Sequence, residues 1–149
     1  MTDIIHSSEK MQTITHLLIV EDDPKDLLAA AEAARAVGFT SLEARVSSES
    51  ARLFLEKGLR GELSLPDAIV LDLDLGFDSG HELLRFCYSE QVLSNIPIVV
   101  WSKLGDEHRL VCEAFKVRAF VSKGQGITLL QEVLSKLGLP LGSRSRAGE

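Results

Sequence analysis

The chain has 149 residues, a formal net charge of −6, and 45% hydrophobic and 26% charged residues. This balance is typical of one globular domain with a sizeable core, and it excludes a disordered or fibrous chain. The negative charge argues against nucleic acid as the main partner, because phosphate binding requires a basic surface. No apolar run approaches the roughly 20 residues of a membrane span, and the start, MTDIIHSSEK, lacks a signal-peptide pattern. We therefore expect a cytoplasmic protein without a nucleic-acid or membrane partner.

The two ends of the chain differ in composition from its centre. Residues 1–15 are polar and weakly patterned, which predicts a flexible N-terminal segment. Residues 139–149 are rich in glycine, serine and arginine and are predicted to form a disordered tail. Residues 16–138 then form a single domain. Cys87 and Cys112 lie inside amphipathic patterns without metal-ligand spacing, so we expect buried free thiols.

Five short strands are predicted between these ends, and each is followed by a segment of helical length. The strands are Leu17–Val20, Ser41–Val46, Ala68–Leu71, Ile98–Trp101 and Ala119–Val121. The central runs are continuously apolar, as expected for strands covered on both faces. This alternation predicts a doubly wound α/β fold with a parallel sheet and helices on both faces.

The helical segments show recognisable starts, stops and apolar stripes. The first has Asp23 as its N-cap, Pro24 at its first position and Gly38 as its stop. The second, SSESARLFLEKG, runs from a serine cap to Gly58. The apolar residues of the last three predicted helices are Leu83, Leu84, Cys87 and Tyr88; Leu110, Val111, Ala114 and Phe115; and Leu129, Leu130, Val133, Leu134 and Leu137.

Polar residues follow the central strands, where sheets of this class bind ligands. They are Glu21, Asp22, Asp23, Asp72, Ser102 and Lys123. Clustered carboxylates favour a hard divalent cation such as Mg²⁺, and a lysine and a serine hydroxyl suit phosphoryl oxygens. A carboxylate between metal and lysine can attack phosphorus and form an aspartyl phosphate.

Each of these residues also has a plain structural interpretation. Asp23 is better explained as a helix cap, and Asp72 could start a turn. Taken singly, Ser102 is better explained as a cap or turn residue and Lys123 as a solvated surface lysine. The functional interpretation is favoured because Glu21 or Asp22, Asp72, Ser102 and Lys123 all fall at strand ends of one architecture.

The segments LLIVEDDP, PDAIVLDLDLGFDSG, IPIVVWS and AFVSK, in that order, resemble the receiver domain of bacterial two-component response regulators. The resemblance extends from about His16 to Leu137. It implies a flavodoxin-like fold of five parallel strands and five helices. It also implies that Asp72 is the phosphoacceptor, and that Gly80 is the family's glycine at the start of the third helix.

The resemblance assigns the remaining site residues as well. It implies Glu21 and Asp22 as the acidic pair of a Mg²⁺ site completed by Asp72 and the backbone carbonyl of Asp74. It further implies Lys123 as the phosphate-contacting lysine, Ser102 as the switch hydroxyl and Phe120 as the switch aromatic. We expect Asp74→Asn to change the dephosphorylation rate without abolishing phosphorylation.

Three positions beside the site depart from the family's pattern. Gly76 stands where proline is common, and Lys103 where a small residue is usual. Gly124 stands where proline usually follows the lysine, so that loop is expected to be more mobile. Trp101, beneath the site, is expected to pack in the core.

The sequence therefore predicts a stand-alone signalling receiver, not an enzyme acting on a separate substrate. A histidine kinase or phosphotransfer protein would phosphorylate Asp72. Output would pass to a protein partner, or through self-association, on the surface of the fourth helix, fifth strand and fifth helix. One alternative is a phosphorylation-independent receiver-like adaptor. Another is a small phosphatase, because AIVLDLDLG also looks like the Asp-x-Asp motif of haloacid-dehalogenase-type enzymes.

Overall fold

The computed structural model describes residues 15–142, except for positions 77, 104, 106 and 107. Its strands are β1 (His16–Val20), β2 (Ser41–Arg45), β3 (Ala68–Leu71), β4 (Ile98–Ser102) and β5 (Ala119–Ser122). They form one parallel central sheet in the spatial order β2-β1-β3-β4-β5. The α-helices are α1 (Pro24–Ala36), α2 (Ser48–Leu59), α3 (Gly80–Ser89), α4 (Arg109–Ala114) and α5 (Ile127–Ser135). The predicted five-stranded, five-helix fold is confirmed.

Shorter elements complete the described chain. Asp74–Leu75 pairs antiparallel with Asp78–Ser79 just after β3, and 3₁₀ turns cover Leu93–Asn95 and Lys123–Gln125. No helix in the described ranges is long and apolar enough to cross a bilayer.

Helices cover the sheet on both faces, and alternate residues of each strand enter separate apolar cores. On one face, Leu18 and Val20 of β1 pack with residues of α2 and α3 and with Cys112 of α4. On the other, Leu17 and Ile19 pack with α1 and α5. Burial on both sides explains why the strands are continuously apolar.

The predicted start of α1 is confirmed. The Asp23 side chain accepts a hydrogen bond of 3.0 Å from Lys25 N, and Pro24 occupies the first helical position. Pro24 needs no hydrogen-bond partner there because it has no N–H. The helix ends before Gly38, whose φ of +113° favours glycine. The capped start places the segment from Glu21 to Asp23 at the carboxyl end of β1.

The apolar stripe predicted for α4 lies largely at the surface. Leu110 is 74% exposed and Val111 is 38% exposed, whereas Cys112 is fully buried. Phe115, which follows the helix, packs partly against the core. The short helix therefore turns Cys112 inwards and leaves much of its apolar stripe at the surface. Both Cys112 and Cys87 are buried free thiols, as predicted.

Residues 139–142, which the sequence assigns to a disordered tail, make defined contacts. Thr15 Oγ1 donates a hydrogen bond of 2.7 Å to Pro140 O, and Gly142 N donates to Gly38 O at 3.1 Å. Leu139 and Leu141 pack partly against the core beside α1 and α5. The rest of the predicted tail, 143–149, and residues 1–14 of the predicted N-terminal segment lie outside the described residues.

Candidate functional site

The carboxylate of Asp72 lies at the carboxyl end of β3, and only 5% of the residue is exposed. Its Oδ1 accepts hydrogen bonds from Ser102 Oγ at 2.8 Å and from Asp74 N at 3.0 Å. Its Oδ2 accepts a hydrogen bond of 2.9 Å from Lys123 Nζ. Each carboxylate oxygen therefore already has a donor, which offsets the cost of burying the charge.

Lys123, at the end of β5, contacts three carboxylates. Its Nζ lies 2.8 Å from Glu21 Oε1, 2.7 Å from Asp26 Oδ2 and 2.9 Å from Asp72 Oδ2. Burial lowers the pKa of Lys123, but the hydrogen bonds to Asp26, Glu21 and Asp72 outweigh burial and raise the pKa above its ordinary value. Lys123 therefore remains a cation at neutral pH, with all three of its donors directed at acidic groups.

Glu21 is the most deeply buried acidic residue of the cluster, with 1% of its surface exposed. Burial raises the pKa of Glu21 to about 7; the hydrogen bond from Lys123 opposes this effect, and the negative charge of Asp72 adds to it. Its Oε2 also accepts a hydrogen bond of 3.1 Å from Asp23 N. The site therefore holds more negative charge than one lysine balances, which favours a further cation.

Glu21, Asp22 and Asp72 can together supply oxygen ligands to one cation. One carboxylate oxygen from each of them lies within 4.8 Å of the others. Asp22 is exposed and forms the open side of this group. An all-oxygen ligand set with one side open to water fits Mg²⁺ or Mn²⁺ and disfavours softer metals. The residues present therefore fit a hard divalent metal.

Asp74 lines the same cleft as Asp72 and lies at its rim. Its Oδ1 accepts a long hydrogen bond of 3.4 Å from Gly76 N, and the residue is exposed at the rim of the site. Gly76 has a φ of +72°, which proline cannot adopt, and a Cβ there would lie 3.3 Å from Asp22 Oδ2. The turn after β3 therefore uses glycine both for its conformation and for the space beside Asp22.

Ser102 and Phe120, the two predicted switch residues, lie on adjacent strands. Ser102 is fully buried against Asp72, and Phe120 is half-buried. The Arg109 guanidinium carbon lies 4.8 Å from the centre of the Phe120 ring, so α4 covers this aromatic with a cation. A movement of Ser102 can therefore be passed to Phe120 through two paired strands of the sheet.

The other two departures from the family's pattern also border the site. Lys103 is exposed and lines a cleft of about 260 Å³ that contains the acidic residues. Gly124 belongs to a turn held by hydrogen bonds, because Gly124 N donates to Ser122 Oγ at 3.2 Å and Ser122 N donates to Gln125 Oε1 at 3.3 Å. This capping box fixes the loop after Lys123 without a proline.

Two further residues pack directly against the site. A Cβ at Gly80 would lie 2.5 Å from Asp72 O, so only glycine lets α3 approach β3 this closely. Trp101 is 4% exposed in the core, as predicted, and Lys123 Nζ lies 5.0 Å from the centre of its ring. The indole thus forms an apolar floor below the ammonium group.

Asp26 belongs to the site but is not among the predicted site residues. Asp26 lies in the first turn of α1. A search of the residues that directly follow the strands therefore does not find it. The available signal was weak, since an acidic residue in a first helical turn is usually explained by the helix dipole.

No protein-family model and no curated protein sequence matches the chain. Solved structures do match. The bacteriophytochrome response regulator RtBRR is 27% identical, with a TM-score of 0.71 over 88% of this chain and 82% of its own. The Mn²⁺-bound form of response regulator Rcp1 is 21% identical, with a TM-score of 0.71 over 87% of this chain and 99% of its own. The phosphorylated cyanobacterial phytochrome response regulator RcpA is 24% identical, with a TM-score of 0.70 over 83% and 90%.

The chain is a receiver domain in its fold. All three neighbours are response regulators, and their fold is shared over most of this chain's length. The structure brings Glu21, Asp22, Asp72, Ser102 and Lys123 together at one edge of the sheet. Phe120 lies on β5, the strand next to the one that carries Ser102, and Asp74 lies at the rim of the site.

Proposed function

We propose that the chain is a receiver that accepts a phosphoryl group on Asp72 from a histidine kinase or phosphotransfer protein in a Mg²⁺-dependent reaction. One observation carries this proposal. The buried Asp72 carboxylate contacts Ser102 Oγ at 2.8 Å through one oxygen and Lys123 Nζ at 2.9 Å through the other, beside a group of carboxylates that fits a divalent metal.

In the proposed reaction, a carboxylate oxygen of Asp72 forms a bond to phosphorus while the bond from phosphorus to the donor imidazole nitrogen breaks. The imidazole keeps the electron pair of the broken bond and takes up a proton. Both Asp72 oxygens already accept hydrogen bonds, so the attacking oxygen must lose a donor. Ser102 Oγ and Lys123 Nζ then donate to phosphoryl oxygens, which stabilises the developing charge.

The same residues would hold the metal. We assign Glu21, Asp22, Asp72 and the backbone carbonyl of Asp74 to a Mg²⁺ site, supported by the oxygen-only ligand set and by the Mn²⁺-bound form of the fold neighbour Rcp1. A bound divalent ion supplies positive charge next to the transferring phosphoryl group. This charge adds to that of Lys123, which is already shared among three carboxylates.

Output would begin at Ser102. The phosphoryl group, with a charge of about −2, draws the Ser102 hydroxyl from Asp72 towards itself, and Phe120 moves on the adjacent strand. Movement of Phe120 disturbs its contact with Arg109 and so changes α4. Leu110 and Val111 on that helix are exposed and would contact a downstream protein or a second receiver. We expect this signalling to take place in the cytoplasm.

Intact-mass spectrometry after incubation with acetyl phosphate and Mg²⁺ tests the acceptor. Wild type should gain one phosphoryl group, and Asp72→Asn should gain none. Asp74→Asn is the matched control: it should still be phosphorylated, with an altered lifetime of the product, because its side chain lies at the rim of the site.

Other outcomes would support the alternative functions. If folded wild type gains no phosphoryl group and binds a partner as well as Asp72→Asn does, the chain is a phosphorylation-independent adaptor. If it hydrolyses a small phosphate ester continuously and Asp74→Asn stops the turnover, the chain is a phosphatase.

A further inference from the structure

The outer edge of β2 is open. Among the described residues, β2 pairs with β1 on one side, and no described strand pairs with its other side. Open strand edges present unpaired N–H and C=O groups, and many proteins protect them with proline, bulges or charged side chains. The strand SLEAR contains no proline and no bulge, and its two charged residues, Glu43 and Arg45, have opposite signs.

The backbone hydrogen bonds show which residues face outward. Ser41 N donates to Thr15 O at 3.2 Å, and Arg45 O accepts from Glu21 N at 3.0 Å, so both residues direct these groups towards β1. Because neighbouring residues of a strand direct their backbone groups to opposite edges, Leu42 and Ala44 direct theirs away from the sheet. Leu42 and Ala44 are therefore the two outward-facing residues of the strand, and Ala44 O accepts a hydrogen bond of 2.8 Å from Arg45 Nη1 with one of its two lone pairs.

We propose that two copies of this chain associate by antiparallel pairing of their β2 strands about a two-fold axis at Ala44. In this register Ala44 of one copy lies opposite Ala44 of the other and exchanges two backbone hydrogen bonds with it. Glu43 then lies opposite Arg45 of the second copy, and Arg45 opposite Glu43. An axis at Glu43 or at Arg45 would instead place like charges opposite each other, which is unfavourable.

Charge complementarity supports a second copy as the partner. Glu43 and Arg45 already form an ion pair within one chain, and their side chains are 35% and 30% exposed. Under the two-fold axis the two pairs lie side by side in opposite orientations, so four charges alternate in sign across the junction. Non-hydrogen-bonded antiparallel positions bring side chains closest together, and these are the positions that Glu43 and Arg45 would occupy.

Exposed apolar side chains flank the edge on both faces of the sheet. Leu28 on α1 and Val46 after β2 are each 58% exposed, Leu53 on α2 is 53% exposed, and Leu63 is 42% exposed. On the α1 side, Leu28 and Leu42 line an apolar groove of about 330 Å³ beside β2. Exposed large apolar side chains grouped beside an open strand edge favour association there. Pairing of the strands would bring these flanks against those of the second copy.

This association does not depend on the proposed phosphorylation. The acidic site is built from the ends of β1, β3 and β5 and from β4, whereas β2 supplies none of its side chains. The exposed face of α4 lies near β5, at the opposite edge. A pair joined through β2 therefore leaves two acidic sites and two α4 surfaces accessible.

Sedimentation equilibrium of the full chain over a concentration series tests the proposal. Wild type should show a monomer–dimer equilibrium. Ala44→Pro should remove the dimer, because proline eliminates the outward N–H and places its ring at the junction. Proline is tolerated in an edge strand where the N–H faces solvent, so the variant should keep the far-ultraviolet circular dichroism of a folded receiver.

Charge exchange tests the register independently of proline. Glu43→Arg or Arg45→Glu alone should weaken the dimer by roughly tenfold, because each places two like-charge pairs across the axis. The double variant Glu43→Arg/Arg45→Glu should restore wild-type association, since it exchanges the charges without changing their complementarity. Val92→Ser, which removes an exposed apolar side chain between α3 and β4, serves as the control and should leave the dimer unchanged.

Three results would overturn the proposal. The first is a wild-type chain that stays monomeric at every concentration. This result is expected if another part of the chain or a different protein covers the edge of β2. The second is a dimer that resists both Ala44→Pro and the single charge variants. The third is a dimer that Leu110→Ser removes, because this would place the interface on α4.

Discussion

Lys123 Nζ lies closer to Asp26 Oδ2, at 2.7 Å, than to Asp72 Oδ2, at 2.9 Å. The proposed phosphate-contacting lysine is therefore shared with a carboxylate of α1 that has no part in the proposed chemistry. Asp26 holds the ammonium group at the side of the site and adds negative charge where a phosphodonor must approach. It thereby limits how readily Lys123 can turn towards a phosphoryl oxygen.

Asp26→Asn should accelerate phosphorylation by acetyl phosphate. Asparagine keeps the size of the side chain but removes its charge, which frees a donor of Lys123 and reduces repulsion of the anionic donor. A partly exposed pair of this kind contributes about 0.5–1 kcal/mol, so a two- to fivefold faster gain of phosphoryl group is expected by time-resolved mass spectrometry. Glu32→Gln, a charge loss on the exposed side of α1, should change nothing. A slower reaction in Asp26→Asn would show instead that Asp26 positions Lys123 productively.

Mg²⁺ should raise the melting temperature of wild type, because a ligand that binds the folded state alone stabilises it. Asp22→Asn should abolish most of this increase and leave the melting temperature in chelator nearly unchanged, since Asp22 is exposed. Asp23→Asn is the matched control: asparagine caps helices as well as aspartate, so the Mg²⁺ response should persist. Equal responses in Asp22→Asn and wild type would contradict the proposed ligand set.

Gly80→Ala should destabilise the receiver by about 1–3 kcal/mol, because the added methyl group would meet Asp72 O at 2.5 Å and force α3 away from β3. Urea denaturation followed by circular dichroism measures this loss. Gly124→Ala provides the comparison, since a Cβ there would lie 3.6 Å from Ser122 Oγ, an ordinary contact. The proposed phosphorylation should also slow in Gly80→Ala, as Asp72 moves with its backbone. If Gly80→Ala is as stable as Gly124→Ala, α3 does not pack as closely as the structure indicates.

His81 should lower the stability of the protein as the pH falls below about 6.5. Burial lowers the pKa of His81, and the charges of His108 and Arg85 lower it further. The folded state therefore binds a proton on His81 less readily than the unfolded state, so protonation between the lowered pKa and the ordinary one favours unfolding. Glu21 acts in the opposite direction, because its pKa is raised to about 7 and its protonation favours the folded state. Urea titrations at a series of pH values should therefore show that wild type loses stability relative to His81→Asn over this window. An identical pH dependence in both would exclude His81 as a source.

The strands and most of the site were predictable because the relevant information is local. Continuous apolar runs identify buried parallel strands, and a parallel sheet brings the residues after those runs to one edge. Asp72, Ser102 and Lys123 were selected on this basis, and the structure places them in direct contact. Glu21 and Asp22 follow β1 and join them for the same reason.

The remaining features depend on tertiary packing. The contact between Asp26 and Lys123 joins residues 97 positions apart and requires α1 to lie beside the end of β5. The spacing of Leu110 and Val111 indicates a stripe on a helix but does not determine which side faces the core. In the structure Cys112 faces inwards instead. Helical periodicity thus predicts that a helix forms better than it predicts the orientation of a six-residue helix such as α4.

Trp101 is the single tryptophan of the chain, and its buried ring lies 5.0 Å from Lys123 Nζ. The tryptophan fluorescence of the protein, excited at a wavelength that Tyr88 does not absorb, therefore originates from one indole directly beneath the cation of the site. Any event that moves the ammonium group, such as metal binding, phosphorylation or loss of Asp26, should alter the intensity of that emission. The receiver thus carries its own optical reporter, and stopped-flow fluorescence can follow events at the site in real time without an attached label.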